Sequence, residues 1–324
     1  MSKRVTIKSI AKDLGISHMT VSRALTDNPN VQKETREAVR RHAQDVGYVR
    51  SAAAGTMRGN VSPIIGLLVP NIRNDFYARF ANKLAEECEA AGLQLIIHLT
   101  KDDHQIERHC ISRLREIQAR AVITVPTPEP KELDQITDVG LDEIQLIRKR
   151  QTSPNTPAVL VDDALAIRDA VLHLHRTGHR RIAYLGAPVT LSSGRHRLDA
   201  YRSGLKQAGI VEDRRLVLTD SPSISMGNRL TRKILSETDA SAIICAGFEI
   251  SEGALKAAIQ TETLNSRLAF VGYGDPDYYS WIGRGLCSIR VPVDELAECA
   301  ISLVTSDKPR EAEFKFAAKL IIRA

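Results

Sequence analysis

Apolar residues recur every three or four positions at Ile7, Ile10, Ala11 and Leu14, stop at Gly15, and resume at Val21, Ala24 and Leu25. That spacing puts each set on one face of a helix. Thr6 stands just before the first run, where its hydroxyl can accept from a first-turn amide, and Gly15 can take a left-handed C-terminal conformation without steric cost. After a three-residue turn Ser17 is placed to cap the second helix, with Ala11, Ile16 and Val21 as the expected contacts between the two. A third helix, about 33–46, is expected to bury Ala38, Val39, Ala43 and Val46. A short helix, a glycine-containing turn and a second capped helix form the helix-turn-helix pattern.

From residue 63 the pattern changes. Short apolar runs at 64–69, 93–98, 121–125, 144–147, 158–161, 182–186, 242–245 and 268–271 alternate with amphipathic stretches at 76–91, 106–117, 164–176, 197–208, 224–235 and 252–260. Strands alternating with helices of this length predict α/β architecture, with parallel sheets covered on both faces. Two halves are visible, opening with Leu67-Leu68-Val69-Pro70 and with Tyr184-Leu185-Gly186-Ala187-Pro188. Ligands in such folds sit beyond the carboxyl ends of the strands, so a small molecule is expected in a cleft between two lobes.

Charge separates the two parts. Residues 1–60 carry eleven Lys and Arg against five Asp and Glu, a net +6, whereas the remaining residues hold 34 of each sign. A cationic head on a neutral body is the footprint of polyanion binding. The second helix presents His18, Met19, Ser22 and Arg23 outward. Arg23 can pair bidentately with guanine and Met19 can meet a thymine methyl, while Ser17, Thr20 and Thr26 suit phosphates. Thr6, Asn30, Thr35 and Tyr48 complete the expected DNA-facing set, with Arg36, Arg40 and Arg41 on a solvated or phosphate-facing side of the third helix.

Other chemistries find little support. The five cysteines have no CxxC spacing, so buried thiols in a reducing cytoplasm are expected. No apolar run approaches the length of a membrane span, and no hydrophobic signal segment opens the chain. Phosphate-loop, nucleophile-elbow and complete dinucleotide motifs are missing. His173 and His175 are two apart on a helix and cannot share a face, so no metal or other cofactor is expected, and no enzyme activity. The remaining rivals are a periplasmic-type sugar-binding protein and a DNA binder blind to sequence.

The segment from Val5-Thr6-Ile7 to Tyr48, with Thr20-Val21-Ser22-Arg23 and Thr35-Arg36-Glu37, resembles the head of the lactose/galactose repressor (LacI/GalR) family. The likeness continues through Ile65-Gly66-Leu67-Leu68-Val69-Pro70, Gly178 to Gly186, Arg197-Leu198, Val271-Gly272-Tyr273 and Lys319 to Arg323. It implies a cytoplasmic homodimeric repressor that associates with the nucleoid when it binds a palindromic operator. The implied layout is a head at 1–50, a hinge helix or linker at 51–62 and an effector-binding and dimerisation body at 63–324. Within that body, lobe 1 would take about 63–163 and 291–318, and lobe 2 about 164–290 and the C-terminal end. The family's minor-groove wedge falls at Met57, an apolar residue suited to unstacking. Arg50 stands where the family has proline, and Gly55 weakens the hinge helix by about 1 kcal/mol against alanine.

Candidate effector contacts are Phe76, Arg148, Asp162, Arg195, Arg197, Phe248 and Asp275, of which Arg197 matches the family's effector-contacting arginine. Gly247-Phe248 replaces the family's Asn-Asp, and Gly274 replaces an aspartate. Those polar groups read sugar hydroxyls, and a site built on them would not lose them. With Arg148 and Arg197 present, the effector is expected to be anionic, a sugar acid or phosphorylated sugar, because the guanidinium fork pairs with carboxylate and phosphate.

Overall fold

The computed structural model describes residues 5–26, 28–48, 62–128, 141–306 and 313–323. The chain divides into two compact units, Met1–Ser62 and Pro63–Ala324. In the first, helices α1 (Ile7–Leu14), α2 (His18–Ala24) and α3 (Lys33–Asp45) enclose a core of Ile10, Ala11, Val21, Ala24, Val31, Val39 and Ala43. Thr6 and Ser9 form a reciprocal cap: the Thr6 hydroxyl accepts from the Ser9 amide at 3.2 Å, and the Ser9 hydroxyl accepts from the Thr6 amide at 2.9 Å. Gly15 closes α1 in the left-handed region at φ 65°. Ser17 accepts from the Thr20 amide at 3.0 Å and so starts α2.

Two expectations for the head fail. Ala38 is exposed, because Val39 and Ala43 already fill the inward face and the neighbouring position is rotated by roughly 100°. Arg36 is not on a solvated face. Its guanidinium donates to the carbonyls of Val31 at 2.9 Å and Asn28 at 3.4 Å, bracing the turn between α2 and α3.

The second unit holds two six-stranded sheets. Lobe 1 contains β1 (Ile64–Val69), β2 (Gln94–Leu99), β3 (Ala121–Thr124), β4 (Asp142–Leu146), β5 (Ala158–Asp162) and β11 (Glu313–Ala317), ordered β2-β1-β3-β4-β5-β11 and all parallel. Lobe 2 contains β6 (Ile182–Gly186), β7 (Val217–Thr219), β8 (Ala242–Cys245), β9 (Ala269–Tyr273), β10 (Cys287–Arg290) and β12 (Lys319–Ile321), ordered β7-β6-β8-β9-β10-β12. There only β12 runs antiparallel, against β10. The first five strands of each sheet share one order, so the body is a repeated doubly wound unit.

Helices α4 (Asp75–Ala90), α5 (His104–Glu116), α6 (Ala164–Arg176), α7 (Ser192–Gln207), α8 (Ile224–Glu237), α9 (Phe248–Gln260) and α10 (Val293–Thr305) cover the sheets. The chain changes lobe three times: after β5, after β10 (α10 packs on α4 of lobe 1) and between β11 and β12. Helix α7 begins at Ser192, not Arg197, and α9 at Phe248, not Glu252. Their N-cap residues, Leu191 and Gly247, make no side-chain cap bond, so neither start carries a cap signature. Cys88, Cys110 and Cys245 are buried and Cys287 and Cys299 half-buried, all as free thiols. Among the described residues no helix is long and apolar enough to cross a membrane.

Candidate functional site

In the head, α2 turns Val21 and Ala24 inward, which leaves His18, Met19 and Arg23 exposed on its outer face. Met19, at 49 % exposure, is an apolar side chain held out in solvent. Ser22 and Thr20 are half-buried beside them, and the Thr20 and Ser17 hydroxyls lie 2.8 Å apart. Thr26 donates to the carbonyls of Ser22 and Arg23 at 3.0 and 3.1 Å, which fixes its hydroxyl at the end of α2. Asn30 is exposed, Thr35 is half-buried in the first turn of α3, and Tyr48 packs against the head core. Met57, with all of the expected hinge except Ser62, lies outside the described residues.

In the body a cavity of about 60 Å³ opens between the lobes, lined from lobe 1 by Asn74, Phe76, Tyr77 and Arg148 and from lobe 2 by Arg197, Phe248 and Tyr273. Each of these lies at or beyond the carboxyl end of a strand, where the switch in strand order leaves a crevice. The rings of Phe76 and Phe248 meet across it with centroids 5.5 Å apart. Tyr273 stands edge-on to Phe248 at 5.5 Å.

The loop after β4 is anchored at three successive residues. Both terminal nitrogens of Arg148 donate to Asp102, and one also donates to the Pro126 carbonyl at 3.2 Å. The Lys149 amide donates across the cleft to the Ser192 hydroxyl at 2.8 Å. Arg150 pairs with the buried carboxylates of Glu107 and Glu143. Ile147, just before, sits at φ 54°, and Asp102 at φ 55°. A β-branched residue in the left-handed region is strained, and here that backbone turn directs Arg148 into the cavity. Burial pushes the neighbouring Tyr77 hydroxyl up to about 12, against the opposing pull of Arg148, so Tyr77 stays protonated.

Arg197 is the centre of the lobe-2 wall. It donates to Asp163 at 2.6 Å, to the Ala246 carbonyl at 3.0 Å and to the Tyr273 hydroxyl at 2.6 Å. Its guanidinium carbon also lies 4.0 Å from the Tyr273 ring centroid, a cation–π contact. The Tyr273 hydroxyl in turn donates to Asp163. Asn71 and Asn74 of lobe 1 donate to Glu249 of lobe 2 at 3.4 and 3.2 Å.

Three of the expected effector contacts lie elsewhere. Asp162 is exposed while Asp163 is buried, since successive residues at a strand end face opposite ways. Arg195 is exposed on α7, its guanidinium donating to the Val189 carbonyl at 3.3 Å. Asp275 is held by Arg290, Arg323 and Ser288 at the edge joined by β10 and β12. Conversely, Asp102, Tyr77, Tyr273 and Glu249 belong to the cavity or hold its arginines and are not among the expected contacts, while Asp163, which follows Asp162 at the end of β5, holds Arg197. The doublets Asp102-Asp103 and Asp162-Asp163 were the available signal. The histidines at the end of α6 and just after it are engaged within the protein: His175 accepts from Arg180 and His179 contacts Ser241.

A helix-turn-helix unit followed by two parallel-sheet lobes of the periplasmic-binding type defines a DNA-binding transcriptional regulator and not an enzyme. Residues 6–51 match the family described as bacterial regulatory proteins, lacI family, and residues 62–270 match the periplasmic binding proteins and sugar binding domain of the LacI family. The chain belongs to the LacI family. It is 24 % identical to the HTH-type transcriptional regulator DegA of Bacillus subtilis, covering 90 % of this chain and 88 % of DegA. It is 25 % identical to the ribose operon repressor of Escherichia coli, covering 92 % of each. The fold matches the lac repressor dimer bound to operator and the anti-inducer ONPF, with a TM-score of 0.81, 20 % identity and coverage of 99 % and 98 %.

Proposed function

We propose that the protein is a cytoplasmic repressor that binds an inverted-repeat operator as a homodimer and is controlled by a small anionic metabolite held between its lobes. The observation that carries the metabolite control is the shared cavity. Phe76 and Arg148 come from one lobe and Arg197 and Phe248 from the other, so the fit of any occupant depends on the angle between lobes. A ligand with different affinity for two lobe angles shifts the equilibrium between them. Two guanidiniums on one small cavity favour an anion, with Asp102 and Asp163 fixing their orientation.

Two heads on a dimer read two half-sites related by its two-fold axis. Selection of bound fragments from random duplex DNA, with and without a metabolite panel, tests the proposal: an enriched palindrome whose retention responds to an anion is the expected result. Equal retention of all sequences, falling steeply with salt, would identify a sequence-blind binder instead. Replacing Arg23 with alanine is expected to relax one base position by about 1–3 kcal/mol. An unchanged selected sequence would remove its readout role.

A further inference from the structure

We propose that the cleft takes an aromatic carboxylate, a planar ring bearing an acid group, and that Phe248 sets this choice. The inference rests on the metabolite-sensing reading above and names the ligand class for the same cavity. Phe248 is the first residue of α9, and its ring lies 5.5 Å from both Phe76 and Tyr273. That placement depends on Gly274 across the sheet end. A Cβ at Gly274 would lie 2.3 Å from Phe248 Cε1 and 2.5 Å from its Cδ1, and its φ of 86° independently favours glycine. Phe248 and Gly274 are thus one device: the ends of β8 and β9 are given over to a ring and the space it needs.

The carboxylates at the cleft each already serve its own side chains through at least one oxygen. Glu249 accepts from Asn71 and Asn74, Asp163 from Arg197 and Tyr273, and Asp102 from Arg148. Each sugar hydroxyl buried without a partner is costly. An aromatic acid asks for something else: two ring faces and a guanidinium. Phe76 and Phe248 offer the faces, and Arg148 and Arg197 flank them. At about 60 Å³ the cavity is smaller than an aromatic acid, with the two rings 5.5 Å apart across it. Parting of the lobes admits the ligand ring, which replaces one ring–ring contact by two.

Calorimetry on the full-length protein tests this with benzoate, 4-hydroxybenzoate, cyclohexanecarboxylate, benzyl alcohol, gluconate and ribose. The two aromatic acids are expected to bind, with cyclohexanecarboxylate (no planar ring) and benzyl alcohol (no charge) each weaker by about tenfold. Phe248→Leu keeps an apolar side chain and is expected to weaken benzoate by about tenfold, with circular dichroism confirming the fold. Gly274→Ala, which displaces the ring, should do the same. Binding of ribose or gluconate in place of the aromatic acids overturns the inference while leaving a metabolite-sensing cleft in place. So does failure of every aromatic acid, or unchanged benzoate affinity in Phe248→Leu. Failure of the wider reading has a different signature, an operator affinity that no ligand of either class alters.

Discussion

Arg197 and Asp163 form a pair in which each side chain is almost fully withdrawn from solvent. Removing one member of such a pair leaves the other charge buried, at a cost of about 3–5 kcal/mol. Arg197→Ala is therefore expected to lower the urea midpoint of the full-length protein, and adding Asp163→Asn to the same chain should restore part of the loss. Equal midpoints for wild type and Arg197→Ala would show that the Tyr273 hydroxyl suffices for Asp163. The sequence singles out the arginine and the doublet Asp162-Asp163, but not which of the two aspartates holds the arginine. Which of two adjacent carboxylates turns inward is fixed only by where β5 ends.

Asp275 is a second residue whose role changed. Burial alone would raise its carboxyl, but hydrogen bonds from Arg323, Ser288 and Arg290 outweigh it and hold the group below the usual aspartate range. A depressed folded-state value means that its stabilisation is complete above the unfolded value, near ~3.9, and is lost as pH falls through the folded one. Asp275→Asn should lower the melting temperature at neutral pH, and the gap from wild type should narrow on acidification. Parallel melting curves from pH 7 to pH 3 would exclude this linkage.

At the scale of elements, the head was the most legible part because its signals are local. The Thr6 cap, the Gly15 stop and the Ser17 cap each act within a few residues, and each is where the spacing put it. Thr6→Ala removes one half of the reciprocal cap and is expected to cost about 1 kcal/mol of head stability. Hydrogen exchange of the α1 amides in the intact protein would register it, and unaltered protection would assign the start of α1 to tertiary packing instead. Ala38 was misread because helical period alone does not say how wide the buried stripe is; that width is set by how closely α1 and α2 approach. Helices α7 and α9 start early for a related reason. Their first turns are held by the cleft, through Ser192 on the Lys149 amide and Phe248 on Phe76, not by local caps.

Across the whole molecule, alternating runs of strand and helix were enough to establish two similar α/β halves, and the uneven charge was enough to mark which end meets nucleic acid. Those properties are additive along the chain: periodicity, composition and short-range caps need no partner distant in sequence. The cleft is different. Arg148 meets Asp102 across 46 residues, Tyr273 meets Asp163 across 110, and Asn74 meets Glu249 across 175. The linear pattern identified Phe76, Arg148, Arg197 and Phe248 as chemically able to face a ligand, and marked Gly274 as unusual. Only tertiary structure decided that the four side chains share one cavity, that each arginine is held by a carboxylate, and that Gly274 is the space into which Phe248 fits. Such choices depend on which strand ends the fold brings side by side, a property of sheet order and lobe crossing that no local window of residues contains.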